Sequence, residues 1–312
     1  MSHNNLDYEY LSSLFTSENI IIFNQRPNPD EIFSELLRNL ALTYGIGNVN
    51  HIYQDYIRRN GHLSPQVINN IALIQHFRLS TTENIRIAFA VIKDGIEYQY
   101  EEKSIKIHFC ILITSPKKRP DLYLRILKII RYLITEENKI LSEILENTDS
   151  DAIWKIIDQK NLKLPSYILA SDIMLQPRVV IREENNLEDA IDLFTKSGVL
   201  FIPVVDKDGD LLGEVTLQEL MHVCLPRYIL WMDDFKPTLN FEPFRNMIHN
   251  ESNTWLDEIM THDIAKVNPN DPAIKAGIEM TKFSTDHVYV LDDKKLSGII
   301  SLQYFSAKVL RE

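Results

Sequence analysis

The chain has 312 residues, which is enough for two domains of ordinary size. Its 44 acidic residues outnumber its 33 basic ones and give a net charge of −11, so no general positive field attracts nucleic acid or anionic lipid. Hydrophobic residues make up 45% and charged residues 25%, the composition of a folded chain. No run approaches the roughly 18 apolar residues of a membrane span, and the start resembles no signal peptide. We therefore expect a cytoplasmic protein with no nucleic acid partner and no membrane insertion.

The cysteine and glycine content excludes several kinds of site. Cys110 and Cys224 lie far apart, each in an apolar run, so we expect two buried thiols and neither a disulfide framework nor a metal site. Glycine occurs only nine times, and Gly45-Ile46-Gly47 lacks the third glycine of a dinucleotide site and the Lys-Ser/Thr of a phosphate loop. Nucleotide binding of the Rossmann or P-loop type has no support.

The N-terminal half alternates helical and strand periods. Apolar spacing predicts one helix face along Ile32–Leu40 and another along Leu124–Ile134. Two apolar runs between them, Ile85–Ile92 and Ile105–Ile113, have the length of strands, and Lys93–Gly95 predicts a turn at the end of the first. We expect an α/β domain, with a mixed sheet covered by helices.

This half resembles the enzyme IIA domain of the fructose/mannitol and nitrogen-regulatory branch of the sugar phosphotransferase system (PTS EIIA type 2). The matching segments, in the family's order and spacing, are Ile92–Tyr98, Ile111–Pro116 and Pro120–Leu127. The resemblance covers roughly Leu11–Asp158, and we assign residues 1–160 to this domain.

In that family a histidine in the segment G-I-A-I-P-H accepts a phosphoryl group from another phosphohistidine protein and passes it on. Asn70–His76 reads N-I-A-L-I-Q-H here, so His76 follows one extra residue. Because one residue turns a strand side chain to the opposite face, we expect His76 to be displaced unless a bulge absorbs the insertion. Tyr123 stands where the family has a second histidine, and it offers one hydrogen bond but no cation. His108, in the second apolar run, is expected to be a sheet-face residue.

The C-terminal half contains an internal repeat. Asp172-Ile173-Met174 recurs as Glu258-Ile259-Met260, and the register continues through both copies. Each copy predicts a strand, a helix, two strands joined by a polar turn, and a final helix. In the first copy we predict a strand at Val179–Ile181, a helix at Leu187–Ser197, a turn at Asp206–Asp210 and a final helix at Gln218. In the second copy we predict a strand at Ala265–Val267, a helix at Pro272–Phe283, a turn at Asp292–Lys295 and a final helix at Gln303.

This half resembles a tandem pair of CBS domains, each a β-α-β-β-α repeat. The resemblance rests on the repeat order, on F-I-P-V-V-D at Phe201–Asp206, and on G-E-V-T-L-Q-E-L at Gly213–Leu220. This last stretch is similar to the family's glycine, apolar pair, Ser/Thr and acidic residue three further on. We assign residues 165–312 to the pair, with copies at 165–224 and 255–312. The insert between them, 225–254, carries the apolar stretch Leu225–Met232, which we expect to pack on another surface.

The family binds an adenosine nucleotide between the two copies, so the resemblance implies AMP, ADP, ATP or cyclic di-AMP as ligand. It places Thr216 and Glu219 on the ribose and phosphate at a helix start, where the N-terminus favours an anion. Thr216 as an ordinary N-cap and Glu219 as an ordinary first-turn acid remain the alternative. The residues expected to line the base are Ile202, Pro203 and Val204.

The second copy implies a weaker site. Ser301 keeps the hydroxyl, but Tyr304 replaces the acid and Tyr289 replaces the proline. We expect ribose recognition there to be weak or absent.

Together the two resemblances predict a cytoplasmic regulatory protein. In this hypothesis the CBS pair senses an adenine nucleotide and forms a homodimer, and a degenerate IIA-like domain presents the response to a target protein. The first alternative is an active phosphoryl carrier, phosphorylated on His76 by a phosphocarrier partner and controlled by the CBS pair. The second is an assembly module that binds no small molecule.

Overall fold

A computed structural model describes residues 10–60, 65–117, 120–224 and 249–307. The apolar stretch Leu225–Met232 lies outside the described residues, as does the insert as far as residue 248. The chain divides after Ile168 into two compact units, and the second comprises Leu169–Ser306.

The first unit is a mixed sheet covered by helices, as predicted. Its strand order is β1-β4-β5-β3-β2, with β1 parallel to β4, β3 parallel to β5, and the other neighbours antiparallel. The strands are β1 (Ile20–Phe23), β2 (Gln66–Ile68), β3 (Ala72–Leu79), β4 (Arg86–Tyr100) and β5 (Lys103–Pro116). The helices are α1 (Pro29–Tyr44), α2 (Val49–Asn60), α3 (Pro120–Glu136), α4 (Asn138–Glu146) and α5 (Ser150–Gln159).

Local sequence explains where α1 begins and ends. Asn28 accepts a hydrogen bond from the Glu31 backbone N–H (2.9 Å), and the Glu31 carboxylate accepts one from the Asn28 N–H, which closes a capping box. Gly45 ends the helix in the left-handed conformation at φ 65°. The predicted apolar face is fully buried in the sheet core, at Ile32, Leu36, Leu37 and Leu40.

The turn predicted at Lys93–Gly95 is wrong. β4 continues through this segment to Tyr100, and its pairing with β5 shifts register there, so the extra residues form a bulge. Gly95 has φ 65°, and a Cβ on it would lie 2.9 Å from Cε1 of His108. His108 is a sheet residue, as predicted, and its Nδ1 lies 3.1 Å from the Ile92 carbonyl oxygen inside the bulge.

The second unit consists of two β-α-β-β-α repeats, as predicted from the sequence. Each repeat has a three-stranded sheet, β6-β7-β8 in the first and β9-β10-β11 in the second. The strands are β6 (Ile181–Arg182), β7 (Phe201–Val205), β8 (Leu211–Thr216), β9 (Lys266–Val267), β10 (His287–Asp292) and β11 (Lys295–Ser301). The helices are α6 (Ala170–Ile173), α7 (Leu187–Ser197), α8 (Leu217–Cys224), α9 (Ala273–Phe283) and α10 (Leu302–Phe305).

The segment that precedes each repeat packs on the sheet of the other repeat. A Cβ on Gly298 would lie 2.7 Å from Sδ of Met174, and a Cβ on Gly213 would lie 2.5 Å from the carbonyl oxygen of Thr261. Thr261 also pairs through its backbone with β8 at Glu214. The glycine of each repeat is therefore required by the close approach of the opposite repeat's lead-in segment.

Two expectations drawn from composition concern the thiols and the membrane. Cys110 is fully buried, and this burial raises the pKa of its thiol well above the usual value. The side chain of Cys224 lies outside the described residues. Within the described ranges, no helix has the length and apolar character needed to cross a membrane.

Candidate functional sites

The structure brings together His76 of β3 and Tyr123 of α3, the two positions that the family resemblance pairs. Their rings stack with centroids 3.9 Å apart and an interplanar angle of 2°. A hydrogen bond of 2.7 Å joins Nε2 of His76 to Oγ of Ser115 on the neighbouring strand β5. His76 therefore lies beside the partner position, Tyr123. The displacement of His76 from the phosphoryl-accepting position of the family stays a prediction.

The surroundings of His76 keep its imidazole neutral. Burial, followed by the positive charge of Arg78, lowers the pKa of His76 from 6.5 to about 3. Nε2 is engaged by Ser115 and one ring face is covered by Tyr123, which leaves little room for a phosphoryl donor to approach in line at that nitrogen.

Gln75, one of the two residues that stand where the family has a single proline, points to the other face of the sheet from His76. The register of β3 against β5 is continuous from Ala72 to Leu79, so side chains alternate without a bulge. Gln75 consequently lies with the core residues and is only 2% exposed. Its Nε2 donates to the carbonyl oxygen of His76 (3.3 Å), whereas no hydrogen-bond partner among the described residues reaches its Oε1.

A cavity of about 620 Å³ opens along this end of β3. Its walls come from α2, the start of β2, β3, the residue after β5, and α3. Its polar and aromatic lining side chains include Asp55, Arg58, Gln66, Gln75, Arg78 and Lys117, together with His76 and Tyr123.

In the second unit, Thr216 and Glu219 meet at the start of α8, as predicted from their spacing. Oγ1 of Thr216 accepts a hydrogen bond from the backbone N–H of Glu219 (3.0 Å), so Thr216 is the N-cap. Among the residues that the structure describes, no acceptor is bonded to its hydroxyl proton. The Glu219 carboxylate is 41% exposed and lies 3.7 Å from Nδ1 of His222 on the next turn.

The three residues expected to line a base differ in where they face. Ile202 and Val204 are fully buried in the apolar core of the first repeat, under α7. Pro203 alternates with them and points to the opposite face of β7. Pro203 is buried as well, so all three side chains are covered, on two opposite faces of β7.

The second copy shows the same helix-start geometry with different chemistry. Oγ of Ser301 accepts a hydrogen bond from the backbone N–H of Tyr304 (3.2 Å), as Thr216 does for Glu219. Tyr289 is fully buried, and its hydroxyl donates to Oε2 of Glu214 (2.7 Å).

Sequence analysis missed a buried polar cluster between the two repeats. Glu214 is 9% exposed, and its Oε2 also accepts a hydrogen bond from Nε2 of His287 (2.6 Å). Nδ1 of His287 lies 3.0 Å from Oδ1 of Asp286, and its ring stacks on Phe201 with centroids 3.6 Å apart. Burial alone would lower the pKa of His287, but the hydrogen bond and charge of Glu214, and then those of Asp286, raise it above 6.5.

One signal in the chain pointed to this cluster. The resembled motif has an apolar pair after its glycine, and here the first member of the pair is Glu214. A carboxylate at a buried position requires a partner. The alignment of the two repeats does not tell which residue is the hydrogen-bonding partner of Glu214.

Within the described ranges no group of three or more histidine, cysteine, aspartate or glutamate side chains is arranged to hold a metal ion.

The fold thus defines an α/β domain joined to two β-α-β-β-α repeats. Residues 13–160 match the family model of the phosphoenolpyruvate-dependent sugar phosphotransferase system, EIIA 2, and residues 170–225 and 256–309 match that of the CBS domain. The chain therefore contains an EIIA 2 domain in its first part and a tandem pair of CBS domains in its second.

Other proteins are similar to parts of the chain. An uncharacterized protein of Methanopyrus kandleri is 34% identical over 76 residues, which are 24% of this chain and 38% of that protein. Another, of Methanocaldococcus jannaschii, is 30% identical over 146 residues, 43% of this chain and 86% of that protein. A crystal structure of CBSX2 in complex with AMP, a protein known from Arabidopsis thaliana, has 20% identity and a TM-score of 0.35, and the match covers 46% of this chain and 96% of that one.

Proposed function

We propose that this is a cytoplasmic regulatory protein whose CBS pair binds an adenine nucleotide and whose EIIA-like domain transmits the response without carrying a phosphoryl group. The observation that carries the proposal is the contrast between the two candidate sites. Thr216 and Glu219 present a hydroxyl and a carboxylate at the start of α8, whereas His76 is stacked, hydrogen-bonded and held neutral.

The chemistry of the first site suits a nucleoside phosphate. The Thr216 hydroxyl can donate to a phosphate oxygen beside the positive end of α8, and the Glu219 carboxylate can accept from ribose hydroxyls. Pro203, which is buried, lies on the same sheet face as Thr216. The second copy lacks both the carboxylate and the proline, so we expect the first site to dominate.

A thermal-shift experiment tests nucleotide binding. We expect AMP, ADP, ATP or cyclic di-AMP at millimolar concentration to raise the Tm of the wild type, because a ligand that binds only the folded state stabilises it. Glu219→Gln keeps the helix cap and should reduce the shift. Thr216→Ala should abolish the shift, measured against its own ligand-free Tm because loss of the cap itself costs about 1 kcal/mol.

Ser301→Ala is the matched control, since it removes the same type of cap in the second copy. It should lower the ligand-free Tm and leave most of the nucleotide shift. If none of the four nucleotides shifts the wild type, the CBS pair does not act as a sensor, and the assembly module without a small ligand becomes the better description.

The competing function, a phosphoryl carrier, is tested by label transfer from a phosphohistidine donor protein. We expect no efficient labelling, because Ser115 engages Nε2 of His76 and Tyr123 covers one ring face, which hinders in-line approach. Tyr123 also supplies no cation to the transferred oxygens. Exposed His262 provides the control variant His262→Ala. Rapid labelling of wild type and of His262→Ala that disappears in His76→Ala would establish the carrier function instead.

A further inference from the structure

Both ring nitrogens of His287 lie against carboxylate oxygens. Nε2 is 2.6 Å from Oε2 of Glu214 on β8, and Nδ1 is 3.0 Å from Oδ1 of Asp286. A neutral imidazole carries a single N–H and donates to only one of these oxygens, whereas the protonated ring donates to both. Oγ1 of Thr285, 3.2 Å from Nδ1, can donate to this nitrogen once the proton is lost. The surroundings therefore suit two protonation states of the ring, each with its own hydrogen bonds.

Loss of this proton changes the charge of a buried cluster. Glu214 is 9% exposed, and its other hydrogen-bond donor there, the Tyr289 hydroxyl, is neutral. Asp286 adds a second negative charge beside the ring, and Phe201, which stacks on the ring, carries none. The protonated ring therefore offsets the Glu214 carboxylate. Without the proton, that negative charge stays in a poorly solvated place with no cation to balance it.

The cluster lies beside the proposed nucleotide site. Glu214 and Thr216 are two residues apart on β8, so they face the same side of the sheet, about 7 Å apart along the strand. Phe201, on which the ring of His287 stacks, pairs with Thr216 across β7 and β8. The charge of the cluster thus acts at short range on a phosphate held by the Thr216 hydroxyl.

We propose that His287 is a proton-linked control of nucleotide binding at the first site: the protonated ring favours the nucleotide, and loss of the proton weakens its binding. This inference rests on the proposed function of the CBS pair. Burial lowers the pKa of His287, but the hydrogen bonds and charges of Glu214 and Asp286 raise it above 6.5, so the change falls above that pH. We expect binding to weaken about tenfold, a usual size for coupling between two sites.

Because linkage is reciprocal, the nucleotide should also hold the proton on His287. An NMR titration of the full-length wild type from pH 5.5 to 10 follows the ring of His287, assigned through its backbone. AMP, ADP, ATP and cyclic di-AMP are each added at saturating concentration. With the nucleotide that binds, we expect the titration midpoint about one pH unit higher than without it, which corresponds to the tenfold change in affinity. An unchanged midpoint would refute the proposal.

Two substitutions should change the affinity, measured by isothermal titration, in opposite directions. His287→Gln keeps an amide donor for Glu214 but carries no charge. It should bind the nucleotide about tenfold more weakly than the wild type at pH 6.5 and approach the wild type at pH 9.5. Glu214→Gln removes the negative charge and still accepts from Tyr289, so it should bind more tightly than the wild type at pH 9.5. Structural damage to the cluster would instead weaken binding in both variants.

His262→Gln is the matched control, because this exposed histidine lies 3.3 Å from the Leu212 carbonyl oxygen of β8 and outside the cluster. Its affinity should follow the wild type at every pH. His222, 3.7 Å from Glu219, and the nucleotide phosphates are the same in all variants, so the ratio of wild-type to variant affinity cancels their contribution.

The results separate this inference from the proposed function. A ratio of wild-type to His287→Gln affinity that stays constant from pH 6.5 to 9.5 would contradict the proton control and leave the nucleotide sensor in place. No binding of any of the four nucleotides at any pH would overturn the sensor and the proton control together.

Discussion

At the scale of single residues, His76 shows how surroundings decide what a histidine can do. The residue type suits phosphoryl acceptance, but Ser115 engages Nε2 and Tyr123 covers the ring. Burial then makes protonation costly, so the folded protein holds a neutral imidazole across the physiological pH range.

The lowered pKa of His76 predicts a pH dependence of stability. The folded-state pKa is about 3 and the unfolded value is about 6.5, so between these limits the unfolded chain binds a proton that the folded chain does not. The free energy of unfolding should therefore fall as the pH drops below about 6.5, with this group contributing up to about 1.4 kcal/mol per pH unit. His76→Asn should flatten that part of the profile in urea titrations between pH 7 and 4.

His262→Asn serves as the reference for this measurement, because the His262 side chain is 60% exposed. The profile of His262→Asn should follow the wild type. Equal slopes in wild type and His76→Asn would show that His76 titrates normally.

At the scale of elements, β8 and β10 are joined by the buried cluster of Glu214, His287 and Tyr289. Both hydrogen bonds end on the same carboxylate oxygen. Because the two strands belong to different repeats, the cluster couples the sheet of one repeat to the sheet of the other. An apolar residue at position 214, as in the resembled motif, would leave that coupling to packing and to backbone hydrogen bonds such as those between Glu214 and Thr261.

This cluster predicts a strong asymmetry between single and combined substitutions. Glu214→Leu should destabilise the protein by about 3–5 kcal/mol, because it leaves the polar atoms of His287 and Tyr289 buried without their partner. Adding His287→Phe and Tyr289→Phe should recover most of that loss, since a wholly apolar cluster has nothing unsatisfied. Chemical denaturation of the single and triple variants measures both effects, and additive losses in the triple variant would contradict the coupling.

The raised pKa of His287 gives the cluster a pH signature of its own. Its contribution is fully present below the unfolded value of about 6.5 and is lost as the pH rises through the folded-state pKa. This direction is opposite to that expected for His76.

At the scale of the whole molecule, the second unit exposes paired apolar side chains on its helices. Leu217 and Met221 lie four residues apart on α8, with 38% and 45% exposure, and Ile274 and Ile278 lie four apart on α9, with 62% and 47%. Side chains at this spacing share one helix face. Two such faces on one unit are more typical of an interface than of a solvated surface.

We therefore predict a homodimer formed through the CBS pair. Sedimentation should give twice the monomer mass of 36.4 kDa at micromolar concentration. Ile274→Glu combined with Ile278→Glu should produce monomers, because two charges would be buried in the interface. Leu42→Glu, at an 88% exposed position of the first unit, should leave the dimer intact, and a monomeric wild type would contradict the prediction.

The sequence by itself determined the elements whose signals are local. The buried face of α1, the repeat order of the second unit and the helix starts at Thr216 and Ser301 follow from periodicity and capping, because neighbouring residues in the chain decide them. Lys93–Gly95 forms a bulge where the sequence predicts a turn, because the same residues suit both structures.

Only the tertiary structure decided the character of the candidate sites. The stacking of His76 on Tyr123, the unpaired oxygen of Gln75 and the partners of Glu214 depend on strands and helices that are distant in the chain. Burial and electrostatic surroundings set the chemistry of a titratable or polar group, and these are properties of the packed molecule.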